Sequence, residues 1–199
     1  MAKVIDYYFT PVSPWSYLGG ERLEAMARRH GATINHKPCD FGQVMAVSGG
    51  LPLAQRPKQR QAYRLHELER WRDFLGVPIN LQPKFVPRPP QLAVDAIIAA
   101  RQQGGDAGRL ANALMRACWA EERDIGDAAT VQAIADEAGL DGARLIAAAG
   151  SAPVQREFEA STAEAIDRQV FGAPWYFYQG KPYWGQDRLD FLERALAAN

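Results

Sequence analysis

Two serines, Ser13 and Ser16, flank Pro14 and Trp15 in a Ser-Pro-Trp-Ser tetrad near the start of the chain. The spacing is that of a Cys-x-x-Cys redox pair with both sulfurs replaced by oxygen, so the tetrad forms no disulfide of its own. Just upstream, residues 4–9 are an apolar, β-branched and aromatic run of strand length, of the kind buried on both faces of a sheet. Residues 10–12 turn the chain, Ser13 can cap a helix, and Pro14 fits the first helical position. The strand therefore delivers the tetrad to a helix N-terminus, where free N–H groups and the macrodipole favour an anion. A plain N-cap is one role for Ser13. The other is chemical. A serine hydroxyl without a base is a poor nucleophile, but it can donate a hydrogen bond to a thiolate supplied from outside.

A second stretch near the other end bears on the same chemistry. Phe171-Gly172-Ala173-Pro174 places a Gly-Ala-Pro turn directly before the strand-like Trp175-Tyr176-Phe177-Tyr178. A proline entering a central strand calls for a cis bond or a strand that begins there. Gly180-Lys181 then reads as a hairpin turn and Pro182-Tyr183-Trp184 as a second short strand. Gly185 precedes Gln186-Asp187-Arg188-Leu189, which opens a helix capped by Gln186 or Asp187.

Ser-Pro-Trp-Ser-Tyr-Leu, Phe-Gly-Ala-Pro and Trp-Gly-Gln-Asp-Arg-Leu, in this order and spacing, resemble the 2-hydroxychromene-2-carboxylate isomerases, relatives of the kappa-class glutathione transferases and of DsbA. The resemblance runs from Val4 to the last helix. It implies glutathione as cofactor, with Ser13 as the catalytic residue that holds its thiolate. Ala173 and Pro174, through a cis bond, would pair with the cysteinyl part, and Trp184, Gly185, Gln186 and Asp187 would hold the rest. Asp187 would take the γ-glutamyl ammonium and helix N–H groups its carboxylate. The implied reaction is reversible addition of the thiolate to a conjugated carbon of a chromene, bond rotation, ring opening and thiol loss, with no net redox change. On the substrate side, Trp15 and Phe85 are candidate walls of a flat apolar slot and Lys58 a candidate carboxylate anchor. Here the chain departs from the family pattern. Met45 stands where a lysine follows the second strand, Ala54-Gln55 replace an Asn-Arg pair, with Arg56 or Lys58 displaced, and Phe85 stands for tyrosine. A kappa-type transferase acting on other electrophiles, and a non-catalytic glutathione- or peptide-binding module, are the alternative readings. Relatives of this kind imply a homodimer acting on a small aromatic or electrophilic molecule.

The elements that must position these residues are legible in the pattern. The chain has 199 residues, enough for one domain with a sizeable core. A helix over 17–30 stopped by Gly31, followed by a strand over 33–38, completes a parallel βαβ unit. Residues 40–60 read as a long loop with a helical turn near 43–47, and 59–75 as a helix with Leu65, Leu68, Trp71 and Leu75 on its apolar side. Its basic residues are spread round the axis: a solvated face, or at Lys58 and Arg60 a meeting point for an anion. An extended connector over 79–90 leads to helices over 91–103, 108–122, 129–138, 142–149 and 152–170, with Asp127 and Asp141 as N-caps. The last helix spans 187–198. The expected architecture is α/β: a single DsbA/kappa-like domain over 1–199, whose thioredoxin-like part is 1–40 and 171–199. A large all-helical insertion, about 41–170, lies between the βαβ half and the C-terminal ββα half.

Lys plus Arg equals Asp plus Glu at 23 each, so no net field argues for nucleic acid or an anionic membrane. Nothing resembles a signal peptide or a membrane span. Cys39 and Cys118 are far apart and fit a reducing compartment, which makes the cytoplasm the expected location. The three histidines show no metal-ligand spacing, and no histidine is placed by a motif to deprotonate Ser13.

Overall fold

A computed structural model describes residues 2–86 and 89–198. Its centre is a four-stranded sheet in the order β2-β1-β3-β4, formed by β1 (Lys3–Phe9), β2 (Ala32–Pro38), β3 (Trp175–Tyr178) and β4 (Lys181–Trp184). β1 and β2 are parallel and joined by α1 (Pro14–His30), whereas β3 runs antiparallel to both β1 and β4. The continuous apolar run of β1 has a direct explanation in this order. Ile5, Tyr7 and Phe9 enter the larger core with Tyr176 and Tyr178, while Tyr8 enters a second core with Trp175 and Phe177. Successive side chains point to opposite faces, and both faces are covered.

The register brings the two distant motifs together. Tyr8 pairs with Trp175, so the end of β1 lies beside the start of β3. The turn leading to Ser13 and the Ala173-Pro174 segment therefore share one end of the sheet.

The middle of the chain is helical: α2 (Phe41–Ser48), α3 (Lys58–Leu75), α4 (Gln91–Gln102), α5 (Ala107–Trp119), α6 (Ala128–Glu137), α7 (Gly142–Ala148) and α8 (Ala152–Asp167). α4, whose residues Ala93–Ala100 are all buried, is the spine of this block. α1 packs against α5, α3 and the C-terminal α9 (Leu189–Ala197), and α8 lies against β2 and α2. The chain is thus the expected thioredoxin-type sheet with a helical insertion.

Three local expectations are revised. The 40–60 stretch holds more than a single turn: Asp40 caps a full α2 by accepting from the Gly42 and Gln43 N–H groups at 2.7 and 3.3 Å, and a 3₁₀ turn follows at Leu53–Gln55. The helix expected to reach 170 stops at Asp167, because Gln169 turns left-handed at φ 60°. The last helix opens with a 3₁₀ turn at Gln186–Arg188, and neither Gln186 nor Asp187 caps α9 with its side chain. Pro87 and Arg88, inside the expected connector, lie outside the described residues.

Candidate active site

Ser13 caps α1 as its residue type demands, with φ −92° and ψ 119°. Its Oγ accepts the Ser16 N–H at 3.2 Å, and Pro14 occupies the first turn, where a missing N–H costs nothing. Capping uses a lone pair of Oγ and leaves the hydroxyl proton free to donate. The two serines, alike in sequence, part company here: Ser13 keeps 9% of its surface, whereas Ser16 is wholly buried. Only the first keeps surface open to solvent.

The Ala173-Pro174 bond is cis, as expected. Among the described residues the Ala173 N–H and C=O make no hydrogen bond, while the Pro174 C=O accepts from the Gly185 N–H at 2.9 Å. That bond ties the proline loop to the Gln186 turn. Gly172 lies under the Trp184 ring, where a Cβ would come within 2.6 Å of Nε1, so glycine is required for the two segments to touch. Gly185 has φ 99°, and Asp187 folds its carboxylate back over it.

These parts form one side of a cavity of about 560 Å³. Trp15, Ala173, Trp184, Gly185, Gln186 and Asp187 all line it. Ser13 and Pro174 adjoin these walls in sequence. Neither of these two is itself in the lining, and two residues expected on the substrate side are not brought in at all. Lys58, the first residue of α3, is exposed outside the cavity walls. Phe85 is also outside them, with the Lys84 ammonium over its ring and its carbonyl accepting from the Cys118 thiol at 3.4 Å.

The opposite wall comes from α3 and from Arg56, two residues before it. Arg56, Arg60, Arg64, Glu67 and Trp71 recur at helical spacing and face the cavity, with Tyr63 beside them. The sequence reading placed a possible anion contact at Lys58 or Arg60, and missed the other members of this stripe. The repeat of three arginines four residues apart was the available signal. Arg56 donates to the Leu51 carbonyl at 2.8 Å, and burial, then the nearby Arg60 charge, hold its guanidinium below its ordinary pKa. Arg60 makes no ion pair among the described residues. Two cations held close at a cavity wall favour an anion between them.

Neither cysteine competes for the chemistry. Cys39 is buried, and burial followed by the Asp40 charge pushes its thiol well above its ordinary range. Cys118 is fully buried. The arrangement therefore offers a serine hydroxyl at a helix N-terminus, unpaired backbone groups, a carboxylate and a cationic, aromatic wall.

Comparison with known proteins agrees with this geometry. The DSBA-like thioredoxin domain family matches residues 4–197. A 2-hydroxychromene-2-carboxylate isomerase of Sphingobium xenophagum is 33% identical over 199 residues, covering 98% of this chain and 99% of its own. Glutathione S-transferase kappa 1 of Rattus norvegicus is 24% identical over 98% of this chain and 91% of its own. A solved structure of 2-hydroxychromene-2-carboxylate isomerase superposes with a TM-score of 0.80 at 26% identity, over 98% of this chain and 95% of that one. The chain belongs to the DSBA-like thioredoxin-domain proteins and, among them, to the 2-hydroxychromene-2-carboxylate isomerase family.

Proposed function

We propose that this protein is a glutathione-dependent isomerase that converts a chromene carboxylate into the open-chain benzylidenepyruvate type of product. One observation carries the reading: a single cavity joins the N-terminus of α1, the cis Ala173-Pro174 loop and the Gln186-Asp187 turn to an arginine-bearing wall. The fit to glutathione rests on the unpaired Ala173 N–H and C=O, which suit an extended peptide. When bound, glutathione supplies a thiolate that adds reversibly to a conjugated carbon, so that a double bond can turn as a single one.

The chain's own residues have distinct tasks. The Ser13 hydroxyl donates to the sulfur and, with the α1 N-terminus, favours its anionic form. Ala173 pairs with the cysteinyl backbone, and Asp187 takes the ammonium. Trp15, Tyr63, Trp71 and Trp184 bound a flat aromatic slot. The carboxylate anchor moves from Lys58 to Arg60, which has the free guanidinium facing the cavity. The same reading gives a homodimer in the cytoplasm, acting in the breakdown of aromatic compounds. Two buried cysteines that form no disulfide suit that compartment, and Phe74, 78% exposed on α3, offers apolar surface for a partner.

Calorimetry with glutathione, followed by turnover of a chromene carboxylate and of an aryl halide, tests the proposal. Wild type should bind glutathione and isomerise the chromene only in its presence. Arg60→Gln should raise KM for the chromene about tenfold, the loss of one charge-assisted hydrogen bond, and leave the uncharged aryl halide unaffected. An inert chromene beside brisk aryl-halide conjugation would replace the isomerase by a kappa-type transferase. No affinity for glutathione would leave only a binding module.

A further inference from the structure

Gln186 is an unusual residue for a cavity wall: it is polar, 2% exposed, and lies at the start of a 3₁₀ turn. Its side-chain oxygen accepts from Arg22 Nη1 at 2.6 Å, and its backbone carbonyl accepts from the same atom at 3.3 Å. A guanidinium has donors only, so the amide atom facing it must be oxygen. The orientation of the amide is thereby decided. Nε2, with its two donors, has no hydrogen-bond partner among the described residues, and Gln186 lines the cavity. α1 permits this close approach by carrying glycine at position 19, where a Cβ would come within 2.9 Å of the Gln186 Cβ and 3.1 Å of the Tyr176 hydroxyl. Arg22 itself stands two turns beyond the Ser13 cap and reaches Asp190 at 3.9 Å on its outer side. It is not among the residues lining the cavity.

We propose that Arg22 is a positioning residue for the thiol ligand: it holds the Gln186 amide by its oxygen so that Nε2 donates to the α-carboxylate of the γ-glutamyl group. The inference rests on the glutathione reading above and names what selects that end of the tripeptide. In a γ-glutamyl group the ammonium and the carboxylate share one carbon. With Asp187 on the ammonium, the adjacent Gln186 is the side chain that meets the carboxylate. Without Arg22 the amide is free to turn, and its oxygen would then repel the carboxylate as often as its nitrogen attracts it.

The experiment compares dissociation constants for glutathione and for glutathione whose γ-glutamyl α-carboxylate is converted to the amide. Wild type should prefer the carboxylate about tenfold, one hydrogen bond to a charged group. Arg22→Ala and Gln186→Ala should each abolish that preference, and the double variant should be no worse than either single one. Arg22→Lys should recover part of it, and Asp190→Asn should leave it intact. The pKa of the bound thiol, read from ultraviolet absorbance, should not move in Arg22→Ala, which separates positioning from damage to the α1 N-terminus. Equal weakening of both ligands, additive losses, or a retained preference in Arg22→Ala would each overturn the inference while the glutathione site stands. Failure of wild type to bind glutathione would overturn that reading and the inference together.

Discussion

In the proposed function Ser13 has two jobs that draw on different parts of one hydroxyl. A lone pair receives the Ser16 N–H at 3.2 Å, and the proton remains for a ligand. Removing the side chain therefore mixes two effects, and they can be separated. Ser13→Ala should cost about 1 kcal/mol of stability as a lost cap and raise the pKa of the bound thiol by about one unit, equivalent to about 1.4 kcal/mol of anion stabilisation. Ser13→Asp keeps a capping oxygen but sets a negative charge against the sulfur. Its melting temperature should stay near wild type while the thiol pKa rises further than in Ser13→Ala. If Ser13→Ala left the thiol pKa at its wild-type value, Ser13 would be a cap and nothing more. Ser16 has no such dual role, since it is enclosed beneath the helix.

At the scale of elements, the helical block is fastened by a buried charge. Asp95 of α4, 3% exposed, accepts from Gln91 Nε2 at 2.7 Å, from Gln155 Nε2 of α8 at 2.9 Å and from the Gly150 N–H between α7 and α8 at 2.9 Å. Asp95→Ala leaves three donors without their acceptor and should lower unfolding stability by about 3 kcal/mol or more in urea titration. Glutathione affinity should persist, because α4 contributes nothing to the cavity. How far such elements were legible in sequence depended on their ends. Ser13, Gly31, Asp127 and Asp141 all stand at helix termini as read, because capping is a local event that residue type decides. The sequence shows only a turn at α2, because Gly42 inside it and the flanking Gly49-Gly50 mask the Asp40 cap. The face of α3 was harder still. Leu68 is its only fully buried residue, and charges surround the axis, so periodicity could not say which side meets the cavity. That choice is made by how α3 docks on α1. It is why Lys58 looked as good an anchor as Arg60.

Across the whole molecule, the sheet must cover two faces with unlike material. The face carrying Ile5, Tyr7 and Phe9 is closed by α1 and the apolar helical block. The other face has the smaller core around Tyr8, and its border with α8 is closed by charge. Lys37 meets Glu164 at 2.6 Å, Arg168 meets Asp6 at 2.7 Å and lies over the Phe177 ring, and the Tyr8 hydroxyl donates to Glu164 at 2.7 Å. Burial alone would raise the pKa of both carboxyls. For Asp6 the hydrogen bonds from Arg168 and Asn35 and the charges of Lys37 and Arg168 outweigh it, and for Glu164 chiefly Lys37 and Tyr8 do. Both therefore titrate below their ordinary values of 3.8 and 4.5. The folded chain binds protons at these sites more weakly than the unfolded chain, so acid favours unfolding. The stabilisation is complete above the ordinary carboxyl range and is lost as pH falls from about 4 through the lowered folded values. Melting temperature measured against pH should fall steeply over that window. Asp6→Asn and Glu164→Gln together should lower stability at neutral pH and flatten the acid limb. An acid limb as steep in the double variant as in wild type would mean that other carboxyls drive acid unfolding, and that α8 is held to the sheet by its apolar contacts alone.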